Sequence, residues 1–135
     1  MSARVKPASG KPSIRVVVID DDDFEREFVV DLLKRAGHFN VSSMSSVFGL
    51  TNHLINEQVE VVVLDVMMPS IRGDKLAALL RKSPALAKLG VVLMSSLPES
   101  ELAALMAEVE VDAFVPKANL RTELAAVIRS VAARA

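Results

Sequence analysis

The stretch Val59-Glu60-Val61-Val62-Val63-Leu64-Asp65 decides the fold. Its β-branched residues run almost unbroken, as in a strand covered on both faces, and a lone carboxylate closes the run. Strands buried on both faces belong to parallel sheets, whose connections are long crossovers and usually helical. The flanking sequence supplies such connections on both sides. Upstream, Ile14-Arg15-Val16-Val17-Val18-Ile19 reads as another covered strand and ends in Asp20-Asp21-Asp22-Asp23. Helical spacing follows, with Phe24, Phe28 and Leu32 four apart and Val29, Leu33 and Ala36 beside them. Asp22 or Asp23 is the expected N-cap of this helix and Gly37 its C-cap. A weaker strand, about Phe39 to Ser43, precedes a helix with Val47, Leu50, Leu54 and Ile55 on one face.

Downstream, a loop through Met67, Pro69 and Gly73 leads to a helix carrying Leu76, Leu79 and Leu80, interrupted at Ser83-Pro84. Val91-Val92-Leu93-Met94 is a fourth strand ending at Ser95, and Ser96 with Glu99 has capping-box spacing for the next helix. That helix carries Leu102, Leu105, Met106 and Val109. A fifth strand, about Ala113 to Val115, ends at Pro116-Lys117, and a last helix presents Leu120, Leu124, Val127, Ile128 and Val131. Strict strand–helix alternation, five times over, predicts an α/β fold with a parallel sheet and helices on both faces.

A chain of 135 residues suits one domain, and 51% apolar with 24% charged residues is an ordinary globular composition. Without cysteine there is neither a disulfide nor a thiolate metal site. His38 and His53 stand far apart without ligand-like spacing. A net charge of −1 offers no global basic face, so direct nucleic-acid binding is not expected. No apolar run approaches the roughly 20 residues of a membrane span. Residues 1–13 contain Arg4, Lys6 and Lys11 but no hydrophobic stretch, so they read as a flexible tail before a domain over 14–135. A cytoplasmic location is the expectation.

Functional groups in such sheets gather beyond the carboxyl ends of the strands. Here those ends deliver Asp20 to Asp23, Asp65, Ser95 and Lys117. Clustered carboxylates repel one another unless a cation neutralises them, and Mg²⁺ suits one or two carboxylates plus water and phosphate oxygens. Asp65 is then a candidate nucleophile for a phosphoryl group, with Lys117 balancing charge and the Ser95 hydroxyl donating a hydrogen bond. Each residue also has a plainer reading: an acidic run complementing a helix N-terminus, a capping serine, a solvated lysine. Their joint occurrence at strand ends favours the chemical one.

The segments Val16-Val17-Val18-Ile19-Asp20-Asp21, Leu64-Asp65-Val66-Met67-Met68-Pro69 with Gly73, Val92-Leu93-Met94-Ser95-Ser96 and Ala113-Phe114-Val115-Pro116-Lys117 resemble the receiver domains of bacterial two-component response regulators, including the single-domain chemotaxis type. The intervals are similar too: 44 residues from Asp21 to Asp65, 30 more to Ser95 and 22 more to Lys117. The resemblance covers about Ile14 to Ala132. It implies a flavodoxin-like, doubly wound (βα)5 fold and a phosphoacceptor switch that catalyses only its own phosphoryl transfer and loss. It makes Asp65 the acceptor, Asp21 a direct Mg²⁺ ligand, Asp20 a ligand through water and the Met67 backbone carbonyl a further ligand. Ser95 and Phe114 become the switch pair, and Lys117 the bridge between phosphoryl group and carboxylates. A sensor histidine kinase or phosphotransfer protein is the implied donor. The implied output face is helix four, strand five and helix five, serving an output protein or a removed output domain; a phosphorylation-dependent homodimer is compatible.

Some residues depart from the family's pattern. Ala118 follows Lys117 where relatives carry proline, so a trans bond is expected there. Phe114 lacks the commoner tyrosine's hydroxyl. Met67 and Leu97 offer no group to orient a hydrolytic water, which predicts slow loss of the phosphoryl group. Two other functions compete: a pseudo-receiver that binds partners without phosphorylation, and a haloacid-dehalogenase-like phosphatase with its nucleophile in the Asp20–Asp23 run. The latter expects an acidic pair after the lysine, where only Glu123 occurs. A Ca²⁺ loop lacks the required Gly and terminal Glu.

Overall fold

Parallel pairing organises the chain. The computed structural model describes residues 13–134; the expected tail lies, except for Ser13, outside the described residues. The strands are Ile14–Ile19 (β1), Phe39–Met44 (β2), Val61–Asp65 (β3), Gly90–Ser95 (β4) and Ala113–Pro116 (β5). They alternate with the helices Asp23–Ala36 (α1), Leu50–Asn56 (α2), Gly73–Arg81 (α3), Glu99–Glu108 (α4) and Leu120–Ala133 (α5). The order across the sheet is β2-β1-β3-β4-β5, and every neighbouring pair is parallel. The expected α/β fold with alternating (βα)5 elements and a flavodoxin-like doubly wound sheet is therefore present.

Side chains alternate across a strand, so each central strand contributes to two cores. Val17, Ile19, Val62, Leu64, Val91 and Leu93 pack with α2, α3 and Leu105 of α4. Val16, Val18, Val61, Val63, Val92 and Met94 pack with α1 and α5 on the other face. This double burial accounts for the nearly unbroken apolar runs in β1, β3 and β4. It also holds their carboxyl ends at one level. Met94 pairs with Asp65 and Val115 with Met94, which sets Ser95 and Pro116 one step further along.

The helices differ from expectation in phase. In α1 the inward row is Val29 and Leu33, both fully buried, while Phe24 is 85% exposed. In α3 the buried side is Leu76, Ala77 and Leu80, and Leu79 faces outward. Ile55 is likewise exposed on α2. Asp22 caps α1 by accepting from the Glu25 N–H at 2.9 Å, and the Gly37 N–H bonds back to Leu33 and Lys34. The capping box expected from Ser96 and Glu99 does not form. Pro98 occupies the N-cap, so Ser96 stands too far upstream to reach the first-turn amides. No described peptide bond is cis, so Lys117–Ala118 is trans as expected. Among the described residues no helix is long and apolar enough to cross a membrane.

Gly73 ties α3 to the tip of β3. Its N–H donates to the Val66 carbonyl at 2.9 Å, and a Cβ there would collide with the Asp65 carbonyl oxygen. Gly73→Ala is therefore expected to cost about 1–3 kcal/mol through overpacking, read as a lower urea midpoint at unchanged m-value.

Candidate functional site

β1 and β3 are neighbours whose connections leave in opposite directions, and this opens a crevice at their carboxyl ends. Asp20, the residue after β1, is fully enclosed, and Asp65, the last of β3, is 3% exposed. Glu25, in the first turn of α1, reaches into the same space. One carboxylate oxygen from each of Asp20, Glu25 and Asp65 lies within 4.8 Å of the other two. Lys117, in a 3-10 turn after β5, brings its Nζ to 2.7 Å from Glu25 Oε1 and 3.2 Å from Asp65 Oδ1. Asp65 Oδ1 also accepts from the Met67 N–H at 3.1 Å.

Of the residues singled out in the sequence, Asp20, Asp65 and Lys117 converge. Asp21 is exposed and stands outside the three-carboxylate cluster. Ser95 is fully buried at the tip of β4, where its Oγ accepts from the Leu97 N–H at 2.9 Å. Phe114 is half-buried on β5 and packs with the core that includes Leu105. Met67 has a half-exposed side chain, leaving its backbone to face Asp65. Glu25 was not foreseen as a site residue. The signal for it is present, however, because Glu25, Val29 and Leu33 stand four apart and form the inward row of α1.

Electrostatics inside this cluster are strained by burial. Asp20 Oδ1 accepts from the Asp22 N–H at 3.0 Å, but Oδ2 finds no donor among the described residues. Burial, then the neighbouring Glu25 carboxylate, pushes Asp20 up to about 8, so it is largely protonated at neutral pH. Glu25 moves the other way. Partial burial opposes its ionisation, but the hydrogen bond from Asp20 and the Lys117 ammonium outweigh this and lower its pKa. The Lys117 ammonium is itself held charged: its burial is outweighed by Glu25 and Asp65, which raise its pKa. The buried carboxylates of Asp20 and Asp65, with Asp20 Oδ2 lacking a donor among the described residues, fit a hard divalent cation, which would take the place of the proton on Asp20.

A family model for the response regulator receiver domain matches residues 16–129. Among curated proteins, the chain is 29% identical over 126 residues to a gliding motility regulatory protein of Myxococcus xanthus, covering 93% of this chain and 16% of that protein. It is 28% identical over 120 residues to the transcriptional regulatory protein GltR of Pseudomonas aeruginosa, covering 89% of this chain and 49% of that one. The chain thus spans less than half the length of either relative. Among solved structures, the signal receiver domain of the putative response regulator NarL from Mycobacterium tuberculosis superposes with a TM-score of 0.77 at 27% identity, over 91% of this chain and 98% of that one. A putative response regulator from Chloroflexus aurantiacus gives 0.81 at 22% identity, over 92% and 100%.

The raised Asp20 pKa has a stability consequence. Between pH 6 and pH 8 the unfolded chain has already released this proton while the folded chain retains it. The folded state therefore binds more protons, and stability falls as pH rises. Denaturant titrations in a metal chelator should show Asp20 contributing a loss of about 2 kcal/mol across that window. Asp20→Asn should remove that part of the pH dependence.

Proposed function

The chain belongs to the response regulator receiver domains, and from that premise we propose that it is a Mg²⁺-dependent phosphorylation switch with Asp65 as the phosphoacceptor. The observation that carries this reading is the convergence of Lys117 and the Asp65 carboxylate at 3.2 Å beside a carboxylate cluster. Two donors, Met67 N–H and the Lys117 ammonium, already engage Asp65 Oδ1. Oδ2 is then the oxygen left to attack.

In transfer from a phosphohistidine of a sensor kinase or phosphotransfer protein, Asp65 Oδ2 forms a bond to phosphorus while the P–N bond breaks. The imidazole nitrogen keeps the electron pair and takes up a proton. With acetyl phosphate, the P–O bond to acetate breaks and acetate leaves with the pair. Bound Mg²⁺, held by Asp20, Asp21, Asp65 and the Met67 carbonyl, would offset charge on the phosphoryl oxygens. Asp21, on the exposed rim next to Asp20, would add its carboxylate from the solvent side. Lys117 neutralises the same oxygens from the β5 side.

Ser95 and Phe114 complete the switch. The Ser95 hydroxyl leaves the Leu97 N–H to donate to the phosphoryl group, and Phe114 rotates into the space released. The output face is α4, β5 and α5, whose partner is a separate protein or a domain of a longer chain. Phosphorylation changes binding there only as far as the partner prefers the switched state, whether that partner is an output protein or a second copy of this chain. The intracellular phosphorelay implied by this reading places the domain in the cytoplasm.

The engagement of Lys117 by Glu25 favours one rival, a pseudo-receiver that is never phosphorylated. Family membership speaks against the haloacid-dehalogenase-like alternative. Intact-mass measurement after acetyl phosphate and Mg²⁺ decides between switch and pseudo-receiver. The wild type should gain one phosphate-sized increment, absent in Asp65→Asn; no gain in the wild type selects the pseudo-receiver. With Met67 and Leu97 flanking the site, the increment should persist for minutes or longer after removal of the donor, and a lifetime of seconds would contradict the absence of a water-orienting group.

A further inference from the structure

Glu25 has an unusual arrangement for its place in the helix. It stands three residues after the N-cap Asp22, the spacing of a capping box, in which the glutamate reaches back to the N-cap N–H. That N–H is already given to Asp20 Oδ1 at 3.0 Å. Glu25 instead turns into the pocket, where its contact with Lys117 at 2.7 Å is closer than the 3.2 Å from Lys117 to Asp65. The Glu25 and Lys117 side chains are 26% and 21% exposed, and the adjoining Asp20 is fully enclosed, its Oδ2 lacking a donor among the described residues. This is a half-buried pair, not a fully solvated surface contact.

We propose that Glu25 is a positioning residue that restrains Lys117 in the unphosphorylated protein and competes with an incoming phosphoryl group for its ammonium. The inference rests on the reading of Asp65 as phosphoacceptor. A phosphoryl group on an Asp65 oxygen needs the same ammonium that Glu25 now pairs with. It also places a multiply charged anion beside the Glu25 carboxylate, which its 2.7 Å contact with Lys117 brings into the pocket, and like charges in a partly desolvated pocket repel. Glu25 therefore opposes phosphoryl binding in two ways, by occupying the cation and by repelling the anion. Its consequence is a threshold: the donor must be more abundant, or better docked, before the acceptor is loaded. Once loaded, the stronger anion holds Lys117 and Glu25 swings out.

The test compares wild type with Glu25→Gln, which keeps the shape and removes the charge, at saturating Mg²⁺. The half-saturating concentration of acetyl phosphate should fall roughly fivefold with little change in maximal rate, the size expected of a partly exposed ion pair. Affinity for beryllofluoride, read by calorimetry because the chain has no Trp or Tyr, should rise by a similar factor. Unchanged or weaker beryllofluoride binding in a variant whose amide spectrum is native overturns the proposal. So does a tenfold loss of Mg²⁺ affinity without any phosphoryl donor, because Glu25 is then a metal ligand. In the wild type, the Glu25 carboxyl ¹³C resonance should move when beryllofluoride takes the ammonium; if it stays in place, the proposal fails without any variant. If the wild type neither gains phosphate nor binds beryllofluoride, the Asp65 reading itself has failed. If it does both and Glu25→Gln behaves identically, only the Glu25 inference has failed.

Discussion

The pocket depends on the Lys117 ammonium facing two carboxylates beside a buried third. Asp20, Glu25 and Asp65 bring oxygens within 4.8 Å of one another, and two of these residues are almost wholly enclosed. Unpaired, such charges would each meet a desolvation cost of several kcal/mol. Lys117 pairs with two of them, and a proton retained on Asp20 relieves the third. The charge is thus balanced only provisionally. A group that carries its own positive charge, or brings more negative charge for Lys117 to hold, can rearrange it.

The scaffold leaves that rearrangement to side chains. β1, β3 and β4 are buried on both faces, and cores of close-packed Val, Leu, Ile and Met hold their register. Their tips cannot drift apart without opening both cores. The rim is more open: Met67 after β3 and Phe24 in the first turn of α1 project outward, and α4 has Pro98 at its N-cap, which makes no side-chain cap bond. A rigid floor under a lightly held rim suits a site where one hydroxyl and one aromatic ring are proposed to change places.

Most of the fold was legible from periodicity. Covered strands require apolar residues on both faces, and this leaves an almost continuous signal in Ile14–Ile19, Val61–Leu64 and Gly90–Met94. Helix phase was less legible, because aromatic residues can satisfy a periodic pattern from the solvent side. Of the row Phe24, Phe28, Leu32, the last two pack at the edge of the core that Val29 and Leu33 fill, while Phe24 is exposed. The same ambiguity concealed Glu25, a charged residue on the true inward row. At α4, Ser96 and Glu99 matched a cap spacing, but proline set the helix start elsewhere.

The sequence by itself determined the alternation of elements, the family and the residues that end each strand, since these follow from local pattern and from order along the chain. Which of those residues meet was decided only by tertiary structure. Asp20 and Asp21 are adjacent in sequence, but one is enclosed and the other solvated, because the chain leaves the sheet between them and the helix cap draws the backbone outward. Glu25 and Lys117 are far apart in sequence and meet because α1 packs over the end of β1 while the turn after β5 reaches the same crevice. Such a contact depends on strand order and helix rotation together, and neither is written in any single stretch of residues.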